Sequence, residues 1–318
     1  MNSACPRVSV CIPTYRYARY LPEAIESVLA QTYGSFELLI IDDHSPDDSR
    51  EIIESFARRD RRISWSVNDS NIGMVANWNR CLEQARGEYV RFLFGDDYLI
   101  SPDAVSHLAG LLDEHPGAVL AGSARRIVGE DSRELRTVSR FPDRSCVDGC
   151  TVIRRCLLEE RNLVGEPSAV MFRRSEAARG FDPSFRQLVD LEMWFHLLGG
   201  GDYCHAGAPL VAFREHGGQQ SVHNARAGVL IEELVRLNVD YGQRPGVVTP
   251  FWAWLLKTQV GCRRRQWQLR DSAADAAAVR DICSRYGVMD VSPVRRLAFM
   301  MVKPLARVWF GLRHGMPC

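Results

Sequence analysis

Short apolar segments alternate with amphipathic segments over the first third of the chain. The predicted strands are Val8–Ile12, Phe36–Ile41, Ile63–Val67 and Tyr89–Phe94, with a fifth that begins at Ala118–Ala121. Apolar residues at helical spacing predict helices at Leu21–Gln31, around Ile52, Ile53 and Phe56, at Met74–Ala85 and at Pro102–Glu114. Because the strands are continuously apolar, this alternation predicts an α/β fold, with a mostly parallel central sheet flanked by helices.

The alternation weakens after Arg125, and the remaining sequence predicts mostly helices. We expect a hairpin at Arg125–Phe141, a helix at Asp148–Glu159, a strand at Ala169–Phe172 and a helix at Leu188–Leu198. Further helical patterns occupy Val229–Tyr241, Phe251–Arg270, Ser272–Tyr286 and Pro293–Arg313. The sequence therefore predicts an α/β domain at residues 1–225 and a mainly helical C-terminal appendage at 226–318.

The composition excludes several classes of protein. Hydrophobic residues make up 46% and charged residues 25% of the chain, which is ordinary for a globular protein and argues against extended disorder. A net charge of +1 gives no electrostatic reason to expect a nucleic-acid partner. The N-terminus lacks the apolar core of a signal peptide, and no apolar run reaches about 18 residues. These features predict a cytoplasmic protein.

The ten cysteines include no CxxC motif. Cys146, Cys150 and Cys156 are close together in the sequence, but no histidine or fourth cysteine follows them at zinc-finger spacing. We therefore expect reduced, buried thiols rather than a metal site or a disulfide framework.

Polar residues follow three of the predicted strands. They are Thr14–Arg16, Asp42–Ser45 and the pair Asp96-Asp97. In an open parallel sheet the ligand site lies at the carboxyl ends of the strands. These residues are far apart in the sequence, but we expect them to meet along one edge of the sheet and to form the ligand site there.

Sequence motifs in a fixed order run from the first strand to His216. They are VSVCIPTY from Val8, SVLAQTY from Ser27, ELLIIDDHSPDD from Glu37, NIG from Asn71 followed by Asn79, ARGEYV from Ala85, the pair Asp96-Asp97, GFD from Gly180, VDLEMW from Val189 and FREH from Phe213. Together they resemble glycosyltransferase family 2, whose members have the GT-A fold and transfer a sugar from a nucleotide diphosphate with inversion. The resemblance implies a nucleotide-sugar-binding half at residues 1–124 and an acceptor-binding half at 125–225. It further implies the synthesis of a bacterial surface polysaccharide on a glycan or lipid-linked acceptor.

The resemblance also implies which residues bind the donor. Asp42 matches the family's Asp that lies against the base, and its carboxylate can accept a hydrogen bond from uracil or thymine, which favours UDP- or dTDP-sugars. The alternative role for Asp42 is to cap the next helix, although Ser45 and Asp47 are better placed for that cap. The implied donor-binding residues are Pro13, Thr14, Tyr15, Arg16, Asp42, Asp43, Asn71, Gly73, Asn79, Asp97 and Arg214.

The acidic pair is expected to hold a divalent cation. A carboxylate beside a diphosphate is repulsive unless a cation such as Mg²⁺ or Mn²⁺ bridges them, and both ions prefer oxygen ligands. Asp96 matches the last Asp of the family's Asp-x-Asp motif, the usual metal contact, whereas Phe94 stands at the first Asp position. An ordinary acidic turn is the alternative. His216 is a second candidate ligand for the metal, with phosphate binding or a structural role as alternatives, and Arg214 suits phosphate through its paired donors.

A later motif supplies the candidate base. The family's Glu-Asp pair reads Val189-Asp190 in this chain, and the family's Asp takes the proton of the acceptor hydroxyl. Asp190 is therefore the predicted catalytic base, with Glu192 or a carboxylate that only favours the helix N-terminus as the alternatives. Glu192 and Trp194 are predicted to contact the acceptor.

The segment after Asp290 contains no acidic residue. It is basic and apolar, with Arg295, Arg296, Lys303, Arg307 and Arg313 interspersed with Leu297, Phe299, Met300, Met301, Leu305, Val308, Trp309 and Phe310. A helix of this kind can lie on an anionic membrane surface, to which Arg263–Arg265 and Trp267 would add. The same pattern suits a helix that packs its apolar face on the protein and exposes its basic face to water. Pro304 is expected to kink this helix.

Two other functions fit parts of the pattern. A sugar nucleotidyltransferase needs a Gly-rich basic loop after the first strand, but Pro13–Tyr17 contains no glycine. A non-catalytic nucleotide-sugar-binding or scaffold protein is the second alternative, because Phe94 and Val189 occupy positions that are acidic in the family. The main prediction is an inverting glycosyltransferase that uses Mg²⁺ or Mn²⁺.

Overall fold

The computed structural model describes residues 5–219, 229–244, 246–247, 249–270, 281–282, 284–286 and 292–314. The chain divides into two compact units. The first unit comprises residues 5–146, 164–184 and 189–217, and the second comprises 147–163, 185–188 and the described residues from 218 onward. Each unit has a hydrophobic core of its own. The predicted helix at Ser272–Tyr286 lies largely outside the described residues.

A sheet of ten described strands forms the centre of the first unit. They are β1 (Val8–Thr14), β2 (Phe36–Asp42), β3 (Ile63–Val67), β4 (Tyr89–Phe92), β5 (Tyr98–Leu99), β6 (Ala118–Val128), β7 (Glu134–Val138), β8 (Ser145–Val147), β9 (Val170–Arg173) and β10 (Asp202–Arg214). The order is β3-β2-β1-β4-β9-β6-β10-β5, with β7 on β6 and β8 on β10. Strands β1–β4 form one parallel block, and β6 and β10 form another. The antiparallel β9 joins the two blocks.

Helices cover the sheet as the alternation predicted. Those of the first unit are α1 (Leu21–Leu29), α2 (Ser49–Ala57), α3 (Met74–Gln84), α4 (Ala104–Glu114) and α6 (Val189–Leu198). The amphipathic spacing explains their packing, because α1 buries Leu21, Ala24, Ile25 and Val28 along one face against the apolar strands. The predicted fold class, an α/β fold with a mostly parallel sheet, is therefore confirmed.

Local predictions had different outcomes. The hairpin predicted at Arg125–Phe141 is present, as the end of β6 paired with β7. The apolar run before Arg214 belongs to the long strand β10, whose pairing with β6 is interrupted by register shifts on either side of Pro209. Neither Ser45 nor Asp47 is the N-cap of α2, because Asp48 holds that position.

A disulfide joins Cys146 and Cys204, which corrects the expectation of reduced thiols. The two cysteines are 58 residues apart in the sequence. They meet because β8, which contains Cys146, pairs with β10, which contains Cys204. The other described cysteines are free thiols, and among them Cys11 and Cys81 are buried in the core whereas Cys5 is exposed.

The second unit is helical. Its described helices are α5 (Gly149–Glu159), α7 (Val229–Tyr241), α8 (Pro250–Arg270) and α9 (Pro293–His314). Its core contains Leu158, Trp252, Leu255, Phe299 and Ala306. Asp148 caps α5 by accepting a hydrogen bond from the backbone N–H of Thr151.

Helix α9 contains Pro304 in its interior. Among the described residues, no helix is both long and apolar enough to cross a membrane. Some predicted membrane-binding side chains lie outside the described part of the chain, namely those of Arg263–Arg265, Trp267, Arg307, Trp309, Phe310 and Arg313.

Candidate active site

The carboxyl ends of β1 and β2 bring the first two polar segments together. Thr14 and Asp42 are register partners at the ends of these strands, and the backbone N–H of Asp43 donates to the carbonyl of Thr14 at 2.9 Å. Thr14 is buried, and its hydroxyl oxygen has no hydrogen-bond partner among the described residues. That oxygen lies 3.1 Å from where a Cβ on Gly95 would be. A buried hydroxyl without a partner at this edge suits a bound polar ligand.

Asp42 joins the loops that follow β1 and β2. Its carboxylate accepts hydrogen bonds from the backbone N–H and the hydroxyl of Ser45, and the Ser45 hydroxyl in turn accepts from the backbone N–H of Arg16 at 2.9 Å. Burial raises the pKa of Asp42, although the hydrogen bonds from Ser45 act against this. The side chains of Tyr15 and Arg16 are exposed, with the guanidinium of Arg16 5.2 Å from the centre of the Tyr15 ring.

Asp43 fixes the loop that contains Asn71 and Gly73. Its carboxylate accepts from the backbone N–H groups of Ile72 at 2.8 Å and Gly73 at 2.9 Å. The side chain of Asn68 donates to the same carboxylate at 2.7 Å, and that of Asn71 donates to the Asp43 carbonyl. The structure thus brings together three predicted donor-binding residues, Asp43, Asn71 and Gly73. The Asp43 carboxylate orders the loop that contains the other two.

Asn79 binds the backbone of Phe181. Its side-chain NH₂ donates to the carbonyl of Phe181 at 2.9 Å, and its side-chain oxygen accepts from the Phe181 N–H at 2.7 Å. Both ends of the amide therefore hold the Gly180-Phe181 segment. The predicted donor contact of Asn79 stays a prediction.

Asp96 and His216 form the centre of the site. Nε2 of His216 lies 3.0 Å from Oδ2 of Asp96, and both side chains are largely buried. The rings of Tyr17 and Tyr20 flank the imidazole, with centroid distances of 6.2 and 5.4 Å. Burial, followed by the charges of Asp96 and Asp97, raises the pKa of Tyr17, so this hydroxyl stays protonated. The structure thus brings together the two predicted metal ligands, and their oxygen and nitrogen donors suit a cation such as Mn²⁺.

The short strand β5 explains why Asp96 and His216 meet. It follows the acidic pair directly and runs antiparallel to β10, with Tyr98 opposite Ala212 and Leu99 opposite Val211. The loop after β4 is thereby tied to the end of β10, which leads into His216. Sequence analysis missed β5 because two residues carry no periodic pattern.

Asp97 faces the interior instead of the open edge. Its carboxylate accepts from the Ser168 hydroxyl at 2.5 Å and from the backbone N–H of Arg214 at 3.0 Å. Burial, together with the neighbouring Asp96, raises the pKa of Asp97 well above its usual range. Asp97 thus supports the Asp96 loop, and its predicted donor contact stays a prediction. The carbonyl of Ser168 also accepts a hydrogen bond from the buried Arg91. Ser168 and Arg91 therefore support the site, and neither was predicted from the sequence.

Arg214 is also buried, and its guanidinium is engaged within the protein. Nε donates to the carbonyl of Asp96 at 2.9 Å, and one terminal nitrogen donates to the Ser132 hydroxyl at 2.8 Å and to carbonyls of the preceding turn. The other terminal nitrogen pairs with Glu23. Arg214 thus holds α1, the Asp96 loop and the turn after β6 together, and its predicted phosphate contact stays a prediction.

Asp190 lies in the first turn of α6, as predicted, and is half-buried. Glu192 is buried and forms a two-point ion pair with Arg179, at 2.7 and 2.6 Å. Trp194 is fully buried, and its indole N–H donates to the carbonyl of Gly165 at 2.9 Å. Glu192 and Trp194 thus make contacts within the core. Their predicted acceptor contacts and the assignment of Asp190 as base stay predictions.

Phe94 occupies the position where a carboxylate was expected. Its ring stacks on Trp78 with a centroid distance of 4.9 Å, and Trp78 also contacts Phe181 edge to face at 5.2 Å. The aromatic side chain is accommodated by this apolar cluster, which joins the end of β4 to α3. Phe94 therefore contributes to apolar packing at the position where the carboxylate was expected.

The mostly parallel sheet and its flanking helices form a fold of the GT-A type. The chain belongs to glycosyl transferase family 2, because the model of that family matches residues 9–175, more than half of its length. This result confirms the family that the motifs indicated.

Two similar proteins each match 62% of the chain. The uncharacterized protein MT1568 of Mycobacterium tuberculosis is 35% identical over 207 residues, which span 62% of this chain and 64% of that relative. The teichuronic acid biosynthesis glycosyltransferase TuaG of Bacillus subtilis is 27% identical over 198 residues, covering 62% and 74% of the two chains.

Two solved structures share the fold. A structure of S. aureus TarS 1–349 in complex with UDP-GlcNAc aligns with a TM-score of 0.68 and 17% identity, covering 92% of this chain and 83% of that chain. The mannosyltransferase PcManGT of Pyrobaculum calidifontis, in complex with GDP-Man and Mn²⁺, aligns with a TM-score of 0.55 and 16% identity, covering 96% and 88%.

Proposed function

We propose that this chain transfers a sugar from a nucleotide-diphosphate donor to a hydroxyl of a glycan or lipid-linked acceptor, with inversion, in the synthesis of a bacterial surface polysaccharide. The proposal rests mainly on the Asp96–His216 pair, in which a carboxylate and an imidazole lie 3.0 Å apart at the carboxyl edge of the sheet. TuaG, whose name assigns it to teichuronic acid biosynthesis, supports the polysaccharide assignment.

We assign the nucleotide to the edge formed by the ends of β1 and β2. Thr14 there offers a buried hydroxyl oxygen without a partner in the described protein, and Tyr15 and Arg16 are exposed beside it. Pro13 and Thr14 end β1, and Asp42 lies opposite Thr14, where its carboxylate can accept from the imide N–H of a pyrimidine base. UDP- and dTDP-sugars are the favoured donors. The UDP-GlcNAc complex of TarS supports a nucleotide-sugar donor.

Asp96 and His216 would hold Mg²⁺ or Mn²⁺. The fit rests on the donor set, since a carboxylate oxygen and an imidazole nitrogen both ligate Mn²⁺ and the carboxylate suits Mg²⁺. When bound, the ion supplies Lewis-acid stabilisation of the departing diphosphate. The Mn²⁺ in the PcManGT complex supports metal use by this fold. Phe94 removes one acidic ligand from the motif, which leaves Asp96 and His216 as the protein's contribution.

Asp190 is assigned as the general base. It lies in the first turn of α6 and is half-buried, whereas Glu192 and Asp97 are buried in the core. A carboxylate in this role removes the proton of the acceptor hydroxyl while that oxygen attacks the anomeric carbon. Attack from the side opposite the leaving diphosphate inverts the configuration.

The test is a donor screen on the full chain. UDP-glucose, UDP-GlcNAc, dTDP-rhamnose and GDP-mannose are each added with Mn²⁺, Mg²⁺ or EDTA, and thermal unfolding and nucleoside diphosphate release are measured. A donor at 100 times its dissociation constant stabilises the fold by about 2.7 kcal/mol. Asp190→Asn should still bind the donor but lower transfer by about 10²–10⁴-fold. Undiminished transfer in Asp190→Asn overturns its role as base, and donor binding without any turnover by the wild type favours the non-catalytic alternative.

We further propose that α9 binds an anionic membrane surface and places the protein at the inner face of the plasma membrane. One face of the helix packs in the second unit through Phe299 and Ala306. Large apolar side chains on other positions are exposed, namely Val294, Leu297, Met300, Met301, Leu305 and Val308. Arg295, Arg296 and Lys303 add positive charge along the same helix. Exposed apolar residues beside basic ones are the pattern of an interfacial helix.

Vesicle flotation tests this placement. The wild type should float with vesicles that contain phosphatidylglycerol and stay in solution with pure phosphatidylcholine. Leu297→Glu/Leu305→Glu should abolish flotation, whereas Leu135→Glu, which alters a similarly exposed leucine in the first unit, should not. Flotation of the double variant at the wild-type level would rule out α9 as the membrane contact.

A further inference from the structure

A cluster of two cysteines and a histidine lies in the first unit. Sγ of Cys146, Sγ of Cys204 and a ring nitrogen of His115 all lie within 4.8 Å of one another. His115 is the C-cap of α4, Cys146 belongs to β8 and Cys204 to β10. The spacing of these residues in the sequence does not reveal the cluster, because β6, β7 and a loop lie between His115 and Cys146.

The cluster is far from the carboxyl edge that carries Asp96. Cys204 lies near the amino end of β10 and pairs with Ala121, whereas Arg214 ends the same strand beside the acidic loop. Ten residues of extended chain at about 3.3 Å each separate the two positions by roughly 30 Å. Ligands bound at the two places are therefore independent.

The three side chains are a donor set that zinc prefers. Two thiolates and one imidazole occur in tetrahedral sites with Zn–S near 2.3 Å and Zn–N near 2.0 Å, so neighbouring ligand atoms lie about 3.4–3.8 Å apart. Ligand atoms gathered within 4.8 Å need only small side-chain rotations to meet that geometry. In the disulfide state the sulfurs are bonded to each other and cannot serve as thiolate ligands.

We propose that His115, Cys146 and Cys204 form a Zn²⁺ site that the Cys146–Cys204 disulfide closes and a low-molecular-weight thiol opens. The thiolate of the reductant attacks Sγ of Cys146, which is exposed, and releases the Cys204 thiolate. A second reductant thiolate attacks the mixed disulfide, so that the Cys146 thiolate leaves and the reductant is oxidised to its own disulfide. Zn²⁺ then binds the two thiolates and the neutral imidazole, and water takes the fourth position.

The experiment compares reduced and oxidised full-length protein. After reduction and removal of the reductant, the wild type should bind one thiolate-ligated Co²⁺, seen as sulfur-to-cobalt charge-transfer absorption, and Zn²⁺ should displace it. This absorption requires sulfur ligands, so metal held by Asp96 and His216 does not contribute to it. Oxidation with diamide should abolish the absorption and leave two fewer titratable thiols than the ten cysteines of the sequence.

Variants decide whether these three residues are the ligands. Cys146→Ser and Cys204→Ser should each abolish the charge-transfer absorption, and His115→Ala should weaken Zn²⁺ binding at least tenfold. Cys5→Ser removes another exposed thiol and should bind Zn²⁺ as the wild type does. Thermal unfolding of each variant checks that it folds. The proposal is overturned if reduced wild type gives no charge-transfer absorption, if diamide leaves that absorption intact, or if His115→Ala binds Zn²⁺ normally.

Discussion

Nε2 of His216 lies 3.0 Å from Oδ2 of Asp96, although 120 residues separate the two in the sequence. Asp96 belongs to the loop after β4, and His216 follows β10. The two-residue strand β5 joins these segments by pairing with β10, and the backbone N–H of Arg214 donates to Asp97 beside it. The position of the candidate metal ligands is therefore set by the sheet.

The first prediction concerns this pair. Asp96→Asn should lower metal-stimulated donor turnover by about 10²–10³-fold, because it removes the negative charge that holds the cation against the diphosphate. His216→Ala should raise the Mn²⁺ concentration required for half-maximal turnover by about 10–100-fold. The measurement is turnover over a Mn²⁺ titration. His107→Ala, at an exposed position on α4, is the control and should behave as the wild type. An unchanged Mn²⁺ dependence in His216→Ala would exclude this histidine as a ligand.

Arg214 provides a test of positioning. Its guanidinium donates to the Asp96 carbonyl and to the turn after β6, and it pairs with Glu23. Lysine offers a point charge without the planar fork, so Arg214→Lys leaves several of these acceptors unpaired and should cost about 1–3 kcal/mol of stability. Because the Asp96 loop moves, kcat should fall while the KM for the donor changes little. Arg126→Lys is the control, because the Arg126 side chain is more exposed than that of Arg214. This variant should unfold and turn over the donor as the wild type does.

The strand ends were largely predictable from the sequence, whereas the contacts between distant loops were not. The apolar runs predict β1 and β2 to within two residues of their observed ends, because burial on both faces selects such runs. Trp194 illustrates the limit, since nothing in the motif distinguishes an aromatic residue facing the acceptor from one packed in the core. The Cys146–Cys204 disulfide likewise depends on the pairing of β8 with β10, which the local pattern does not encode.

Gly73 supplies a prediction that isolates backbone strain. Its φ of 90° lies in a region that L-residues rarely adopt, and a Cβ there would meet no atom within 4 Å. Gly73→Ala should therefore destabilise the fold by about 1–3 kcal/mol through the backbone alone. Gly34→Ala is the matched control, because its Cβ also has open space but its φ is not in that region. Thermal unfolding of both variants checks this, and equal midpoints would contradict the strain at Gly73.

Variants of the Arg179–Glu192 ion pair test whether Glu192 has a structural role. The Glu192 side chain is almost fully buried, whereas that of Arg179 is partly exposed. Arg179→Ala leaves a buried carboxylate without its partner and should cost about 3–5 kcal/mol. Glu192→Gln leaves the exposed arginine in contact with water and should cost less. Denaturant unfolding gives both values, and a reversed order would show that Arg179 does not stabilise the buried charge.

Glu37 should make the stability of the first unit sensitive to acid. Its buried carboxylate accepts from the Ser9 hydroxyl at 2.6 Å, the backbone N–H of Arg86 at 2.9 Å and the Arg86 guanidinium at 2.8 Å. Burial acts to raise the pKa of Glu37, but the hydrogen bonds from Arg86 and Ser9 outweigh it and lower the pKa from its ordinary value of 4.5.

The sign of the pH effect follows from this lowered pKa. The unfolded chain binds the proton first as the pH falls, so the stabilisation from Glu37 is complete above about pH 4.5 and is lost as the pH falls through the folded-state pKa. Glu37→Gln should cost about 1–3 kcal/mol at pH 7 and should flatten the loss of stability below pH 4.5. The exposed Glu83→Gln should retain the wild-type acid profile in denaturant unfolding at several pH values. If Glu37→Gln loses stability in acid as steeply as the wild type, other carboxylates account for the effect, because only groups whose pKa differs between the folded and unfolded states contribute to it.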